Sequence, residues 1–261
     1  MNHIPSASTS SRRIRREYTI VFILLLIPLA AVSIMLFPRY YSYSAPGDIV
    51  SVQDIGVNGS VNFCYVQEGV TTNLYERFAV GQALPNAKFE RADADAQEAL
   101  ESDMQLGEEL RDETIGNAIR SADEQDADTS PEEDYEDKYA SLTEETANYY
   151  GDSIGLMLGI GLVEEEQHLD FSKNGKYVIA GTGTLEEDHS VGSVGAIPNK
   201  VQTAVNAKAT IFFVPKDKEN WFYEGLSNEE EAMGIASSIP SVHIVPVATL
   251  EEALDYLRQL K

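Results

Sequence analysis

The stretch GDSIGLMLGIGLV, residues 151–163, is apolar at nearly every position from Ile154 onward. A helix with apolar side chains on all its faces is buried inside a domain, so the stretch predicts a central buried helix. Ser153 stands at the start of that helix. On this pattern alone, Ser153 could simply be an N-cap residue that accepts a hydrogen bond from a free backbone N–H.

A second stretch, VGAIPNK at residues 194–200, predicts the start of another helix. Pro198 suits the first turn of a helix that continues through Val201 and Ala204. Lys200 then lies in the first turn as well, where the positive end of the helix disfavours a cation. If water is also excluded, the pKa of the amine falls toward neutrality, as a lysine general base requires. The other interpretation is a solvated surface lysine.

These two stretches, and a segment between them, resemble the motifs of Lon-type serine peptidases. The nucleophile motif of that family, G-P-S-A-G, is similar to residues 151–155, and its T-G-x-[IL] segment is similar to residues 182–185. Its lysine motif, G-G-[IL]-x-x-K, is similar to residues 195–200. Residues 148–261 therefore resemble the Lon proteolytic domain, in particular that of the membrane-anchored relatives that carry a PDZ module.

The resemblance implies an α+β fold of the Lon proteolytic-domain type. It implies that Ser153 is the nucleophile, that Lys200 is its base, and that Thr182 hydrogen-bonds near Lys200 and orients it. The supporting site residues that it indicates are Gly151, Asp152 and Gly195.

Four positions depart from the family motifs. Asp152 replaces proline, Ile154 replaces alanine, Ala196 replaces glycine, and His189 stands where the family usually has glycine. A carboxylate at Asp152 would raise the pKa of the lysine, and isoleucine adds bulk where substrate backbone should lie. The alternative hypothesis is therefore an inactive Lon-like protein that has become a membrane-tethered binding protein.

Residues 18–37 contain no charged side chain and are 20 residues long, which is close to the roughly 20 that span a bilayer as a helix. They predict a transmembrane helix. Four arginines precede the span and Arg39 alone follows it closely, so residues 1–17 are expected in the cytoplasm and the rest outside the plasma membrane. A cleaved signal peptide is the alternative, although its apolar core is usually about 7–15 residues long.

The formal charge of −24 argues against binding of nucleic acid or anionic lipid by the part outside the membrane. The single cysteine, Cys64, leaves no internal disulfide and no cysteine metal cluster, and its strand-like surroundings favour packing over catalysis. None of the four histidines is needed for a Ser/Lys dyad.

Between the membrane and the Lon-like domain, residues 44–121 are expected to form strands followed by one or two acidic helices that pack lightly. Residues 47–66 suit two strands joined by a turn. Residues 87–146 hold 21 of the 43 acidic residues against five basic ones, and residues 122–147 are expected to be an acidic linker. The acidic residues at 126–134 lack the spacing and glycine of an EF-hand, so no metal site is predicted.

The linker is too short for a PDZ domain, and the sequence has no phosphate-binding loop of the Gly-x4-Gly-Lys-Ser/Thr type, so no nucleotide is expected. The sequence thus predicts a membrane-anchored, ATP-independent serine endopeptidase that uses Ser153 and Lys200 on extracytoplasmic peptides or unfolded proteins. Such an enzyme is expected to need no cofactor and no metal, and the sequence does not indicate its oligomeric state.

Overall fold

The computed structural model describes residues 10–125, 135–217 and 225–261, with side chains from Arg16 onward. These residues form helices α1 (Ser10–Leu36), α2 (Leu74–Ala83), α3 (Ala96–Asp123), α4 (Tyr135–Glu145), α5 (Gly155–Gln167), α6 (Ile197–Asn206), α7 (Asn228–Ala236) and α8 (Leu250–Arg258). The strands are β1 (Pro38–Ser51), β2 (Val61–Asn73), β3 (Lys88–Arg91), β4 (Ile179–Gly181), β5 (Ile211–Pro215) and β6 (His243–Val247). The protein is a mixed α/β chain with one N-terminal apolar helix. In these general terms the fold agrees with the one predicted from the sequence.

The N-terminal helix α1 is exposed along all of its described side chains. From Arg16 to Leu36 it is long and apolar enough to cross a membrane. β1 begins at Pro38, directly after this helix, so the rest of the fold is attached to α1 without a linker.

The six strands form one sheet in the order β3-β1-β2-β4-β5-β6. β1 pairs antiparallel with both β2 and β3, whereas β2, β4, β5 and β6 run parallel. The predicted pair of strands within residues 47–66 is confirmed as β1 and β2, which are both longer than expected. From Lys200 onward, helices and strands alternate as α6, β5, α7, β6 and α8.

Helices cover both faces of the sheet. Because successive strand residues point to opposite sides, the strands contribute side chains to two different cores. Phe213 and Ile179 belong to a core with the apolar residues of α5 and with α3, α4 and α8, whereas Phe212 and Ala180 belong to a core with α6 and α7. The apolar residues of α5, from Leu156 to Val163, are completely buried, so the predicted central helix is confirmed.

Two expectations about the acidic region are corrected. α3 is a single helix whose second half packs deeply, because Ile115, Ala118, Ile119 and Ala122 form one apolar face that the overall charge conceals. The expected linker at 122–147 contains α4, where Leu142 is buried. Residues 126–134, including the acidic residues considered for metal binding, lie outside the described residues.

The strands of residues 44–121 are also not a separate layer. Val61 of β2 pairs in parallel with Ile179 of β4, so the segment near the membrane and the predicted Lon-like domain share one sheet.

Candidate functional site

A cleft of about 460 Å³ lies where β1 and β2 meet the loop before α5 and the start of α6. Its lining brings together most of the sequence-predicted site residues, namely Gly151, Asp152, Ser153, Gly195 and Lys200. Thr182, the remaining one, is completely buried behind Lys200. Three segments that are far apart in the sequence therefore meet at one opening.

The loop that carries Ser153 is fixed to α3. Gly151 has a φ of 90°, which favours glycine, and its N–H donates to the carbonyl of Gly107 at 2.9 Å. The buried Arg111 side chain donates from Nη1 to the carbonyl oxygens of Thr146 at 3.2 Å and Tyr149 at 2.8 Å. Helix α3 therefore supports the loop that carries Ser153.

Ser153 precedes α5 by two residues, and Ile154 occupies the N-cap position without a side-chain cap. The alternative interpretation of Ser153 as an N-cap residue is therefore wrong. Its hydroxyl makes no hydrogen bond with any described residue, and the backbone N–H groups of Ser153 and Ile154 likewise have no acceptor within the described part of the chain. Ser153 and Ile154 both line the cleft.

Lys200 lies in the first turn of α6, as predicted, with Pro198 at the helix start. Only 4% of the Lys200 side chain is exposed, which excludes the interpretation as a solvated surface lysine. Its Nζ donates to Thr182 Oγ1 at 3.1 Å, and Thr182 Oγ1 donates to the Ser153 carbonyl at 3.4 Å. Thr182 therefore connects the amine to the backbone of the candidate nucleophile.

Burial lowers the pKa of Lys200 from 10.5 to about 8, against the opposing effects of Cys64, Asp152 and Glu68. A buried ammonium loses its hydration, so the neutral amine becomes accessible near physiological pH. Burial raises the pKa of Asp152, an effect that the nearby Lys200 counteracts. The site thus holds a lysine that is able to accept a proton.

Cys64 lines the same cleft but is only 1% exposed, and burial raises the pKa of its thiol to about 12. A thiol that stays protonated is a poor nucleophile. The structure agrees with the expectation that Cys64 is a packing residue.

Within the described residues, no direct hydrogen bond joins the Ser153 hydroxyl to the Lys200 amine. The two side chains line one cleft, while the amine is directed to Thr182. Proton transfer between them would need a change of the Ser153 rotamer, a bridging water or a shift on substrate binding.

Two of the departures from the family motifs fall on backbone that favours glycine. Ala196 has a φ of 60° and His189 has a φ of 64°. The His189 ring contacts Ser121 of α3, whose Oγ lies 2.7 Å from Nδ1. It also contacts Glu124, the residue after α3, whose carboxylate lies 3.0 Å from Nε2. At both positions the backbone has the left-handed conformation that glycine adopts most easily.

Sequence reasoning missed the other wall of the cleft. β1 and β2 contribute Tyr43, Tyr65 and Glu68, and the loop before Ser153 contributes Tyr149 and Tyr150. Tyr150 donates weakly to Glu68 at 3.5 Å, and burial, assisted by Glu68, raises the pKa of Tyr150 to about 12. The strand pattern of residues 47–66 does not indicate what those strands face.

No group of three or more His, Cys, Asp or Glu side chains that could hold a metal ion occurs among the residues that the structure describes.

No protein-family model matches the sequence, and the search of curated proteins also finds no match.

Proposed function

We propose that this protein is a membrane-anchored, ATP-independent serine endopeptidase with a Lon-like proteolytic domain, acting through Ser153 and Lys200. The observation that carries the proposal is the buried Lys200 amine, with its pKa lowered to about 8, in the wall of a cleft that Ser153 also lines. A buried lysine of this kind is uncommon unless its neutral form has a role.

In the proposed reaction the neutral Lys200 amine removes the proton of the Ser153 hydroxyl. The serine oxygen attacks the scissile carbonyl, and the resulting oxyanion is held by the backbone N–H groups of Ser153 and Ile154. Lys200 then returns the proton to the leaving amine. Water, activated by the same lysine, hydrolyses the acyl-enzyme and restores Ser153.

Thr182 would keep the amine in place during this cycle. Its hydroxyl accepts from Lys200 Nζ and donates to the Ser153 carbonyl, so movement of the lysine and of the serine loop is linked through one side chain. The positive φ at Ala196 and His189, where the Lon family has glycine, supports the Lon-like backbone of the proposal.

The cleft favours flexible peptides with aromatic or basic side chains. Its lining combines four tyrosines with the carboxylates of Glu68 and Asp152, and Lys200 is its one basic residue, all within the described residues. An extended peptide fits such an opening more easily than a folded domain does. The arginine cluster in the N-terminal part of α1, ahead of the uncharged span 18–37, supports a cytoplasmic N-terminus and an extracytoplasmic cleft.

A second candidate is an inactive, membrane-tethered binding protein of the same fold. The observation that favours it is the missing direct hydrogen bond between Ser153 and Lys200, together with the charge of Asp152 next to the candidate nucleophile. In that case the cleft would hold a peptide without cleaving it.

The test uses the full chain in detergent with an unstructured protein such as denatured casein, and compares wild type with Ser153→Ala and Lys200→Arg. Cleavage is expected for wild type alone, because guanidinium stays protonated and cannot act as a base. A folded wild type that binds but never cleaves the substrate, from neutral to alkaline pH, would favour the binding protein.

The proposed topology is tested separately on intact cells that express the full chain. Protease added outside should remove the part after residue 37. Mature protein that is free in the medium and begins near Ser44 would instead establish a cleaved signal peptide.

A further inference from the structure

The short helix α2 lies beside the end of α1. β1 and β2 are paired so that Pro38, the second residue after α1, stands opposite Asn73, the N-cap residue of α2. α1 and α2 are also in contact. If α1 crosses a bilayer, α2 starts at the level where α1 leaves it.

The charged residues of α2 are turned toward the protein. Glu76 accepts from the N–H of Thr72 at 2.7 Å and from the amide of Asn73 at 2.9 Å. The Arg77 guanidinium lies 4.2 Å from the ring centre of Tyr41 and 5.2 Å from that of Phe89. The Glu76 carboxylate and the Arg77 guanidinium are thus both in contact with other parts of the domain.

The opposite face of α2 is exposed and carries no charge. It consists of positions spaced by three and four residues, Tyr75, Phe78, Ala79, Gln82 and Ala83. Tyr75 and Phe78 are each 58% exposed, and no residue of α2 is buried. A helix in contact with water normally presents its charged residues outward, so this arrangement is the reverse of the usual one.

We propose that the outer face of α2 lies in the headgroup region of the bilayer that α1 spans. Aromatic rings with one polar end are favoured at that depth, and an interfacial helix places its apolar face there. The occupant is a zwitterionic phospholipid surface, because the protein outside the membrane is strongly acidic and offers no basic residue on this face. This inference depends on α1 as a membrane helix and does not depend on peptidase activity.

The docking would fix the height of the cleft above the membrane. Tyr43, which lines the cleft, lies five residues beyond Pro38 along β1, at most about 17 Å from it at the rise of a strand. With α1 and α2 both attached to the bilayer, the domain could not tilt freely about a single anchor. The cleft would remain close to the membrane surface.

The test measures fluorescence of the full chain in phosphatidylcholine vesicles whose acyl chains carry bromine near the headgroups. Trp221, the single tryptophan of the sequence, is replaced by phenylalanine, and a new tryptophan is introduced by Phe78→Trp or, as a matched control, by Met233→Trp. Met233 is 50% exposed and lies on α7, at the other end of the sheet from α2. A loss of fluorescence and a blue shift are expected for Phe78→Trp and not for Met233→Trp.

Equal quenching at both positions, or none at residue 78, would overturn the proposal. So would a blue-shifted but unquenched tryptophan at residue 78, since this would mean that a second protein copy covers the face. Should Phe78→Trp unfold the chain, a nitroxide on Gln82→Cys serves instead, as the native Cys64 is buried. That label should be more accessible to oxygen than to a water-soluble nickel complex, and the reverse result would contradict membrane docking.

Discussion

Lys200 donates a hydrogen bond of 3.1 Å to Thr182 at a place where both side chains are closed to water. The amine therefore has one neutral partner and no adjacent carboxylate bonded to it among the described residues. An ammonium in such a place is poorly compensated, and this accounts for the direction in which its pKa moves.

Replacing this lysine by methionine should stabilise the protein. Because burial lowers the pKa of Lys200 from 10.5 to about 8, keeping the charged form in the folded core costs roughly 3 kcal/mol at neutral pH. The unfolded chain binds more protons than the folded one between these two values, so wild type gains stability as the pH rises through that window. The advantage of Lys200→Met, about 2–3 kcal/mol after the lost hydrogen bond, should fade toward alkaline pH.

Urea unfolding at neutral pH and near pH 10 measures this difference, with the exposed Lys216→Met as the control. Lys216 is half exposed and should show little change at either pH. An equal loss of stability in both variants would mean that the Lys200 ammonium is well solvated after all.

The activity of the proposed peptidase should rise as the pH passes about 8, since the amine must be neutral to act as a base. Asp152→Asn removes a charge that raises the pKa of Lys200, so its pH–rate profile should move to lower pH and its activity near neutrality should increase. The exposed Asp255→Asn on α8 is the control and should leave the profile unchanged. A profile that moves to higher pH in Asp152→Asn would show that the carboxyl assists the lysine.

The sequence predicted the elements whose signals are local. The apolar residues 156–163 do lie in the buried part of α5, and Pro198 does place Lys200 in the first turn of α6. The lowering of the lysine pKa was also predicted, but its leading cause is burial. That burial could not be predicted, because the cleft wall comes from β1 and β2, and strand pairing over such separations leaves no local mark.

The packing of α3 shows a second limit. The sequence predicted acidic helices that pack lightly, because a count of charges over residues 87–146 averages the exposed acidic face with the apolar face that contains Ile115 and Ile119. The polar contacts of α3 with the segment that follows Thr182 are equally hidden: Thr114 Oγ1 accepts from the N–H of Leu185 at 2.9 Å, and Asn117 donates to the Leu185 carbonyl at 2.9 Å. Single threonine and asparagine residues carry no signal for such tertiary hydrogen bonds.

Ala196→Gly should stabilise the start of α6. The left-handed conformation at Ala196, with φ of 60°, costs roughly 1 kcal/mol for a residue with a Cβ, and glycine adopts it freely. The greater freedom of glycine in the unfolded chain offsets part of the gain, so an increase below about 1 kcal/mol is expected. Ala207→Gly, at the other end of the same helix with φ of −79°, is the control and should destabilise the protein by a similar amount. Two losses of equal size would show that the backbone at residue 196 is not strained.

Arg111→Met should reduce both stability and cleavage, because the buried guanidinium holds the carbonyl oxygens of Thr146 and Tyr149 just before the Ser153 loop. Removing the donors leaves buried acceptors without their partner, at a cost of about 2–4 kcal/mol. Arg120→Met, on the exposed face of the same helix, should cost less than about 1 kcal/mol. The two variants are compared by thermal unfolding and then by casein cleavage at a temperature at which both are folded. A folded Arg111→Met that cleaves at the wild-type rate would mean that the bond from Gly151 to Gly107 of α3 is sufficient to position Ser153, and that Arg111 supports the fold without positioning the site.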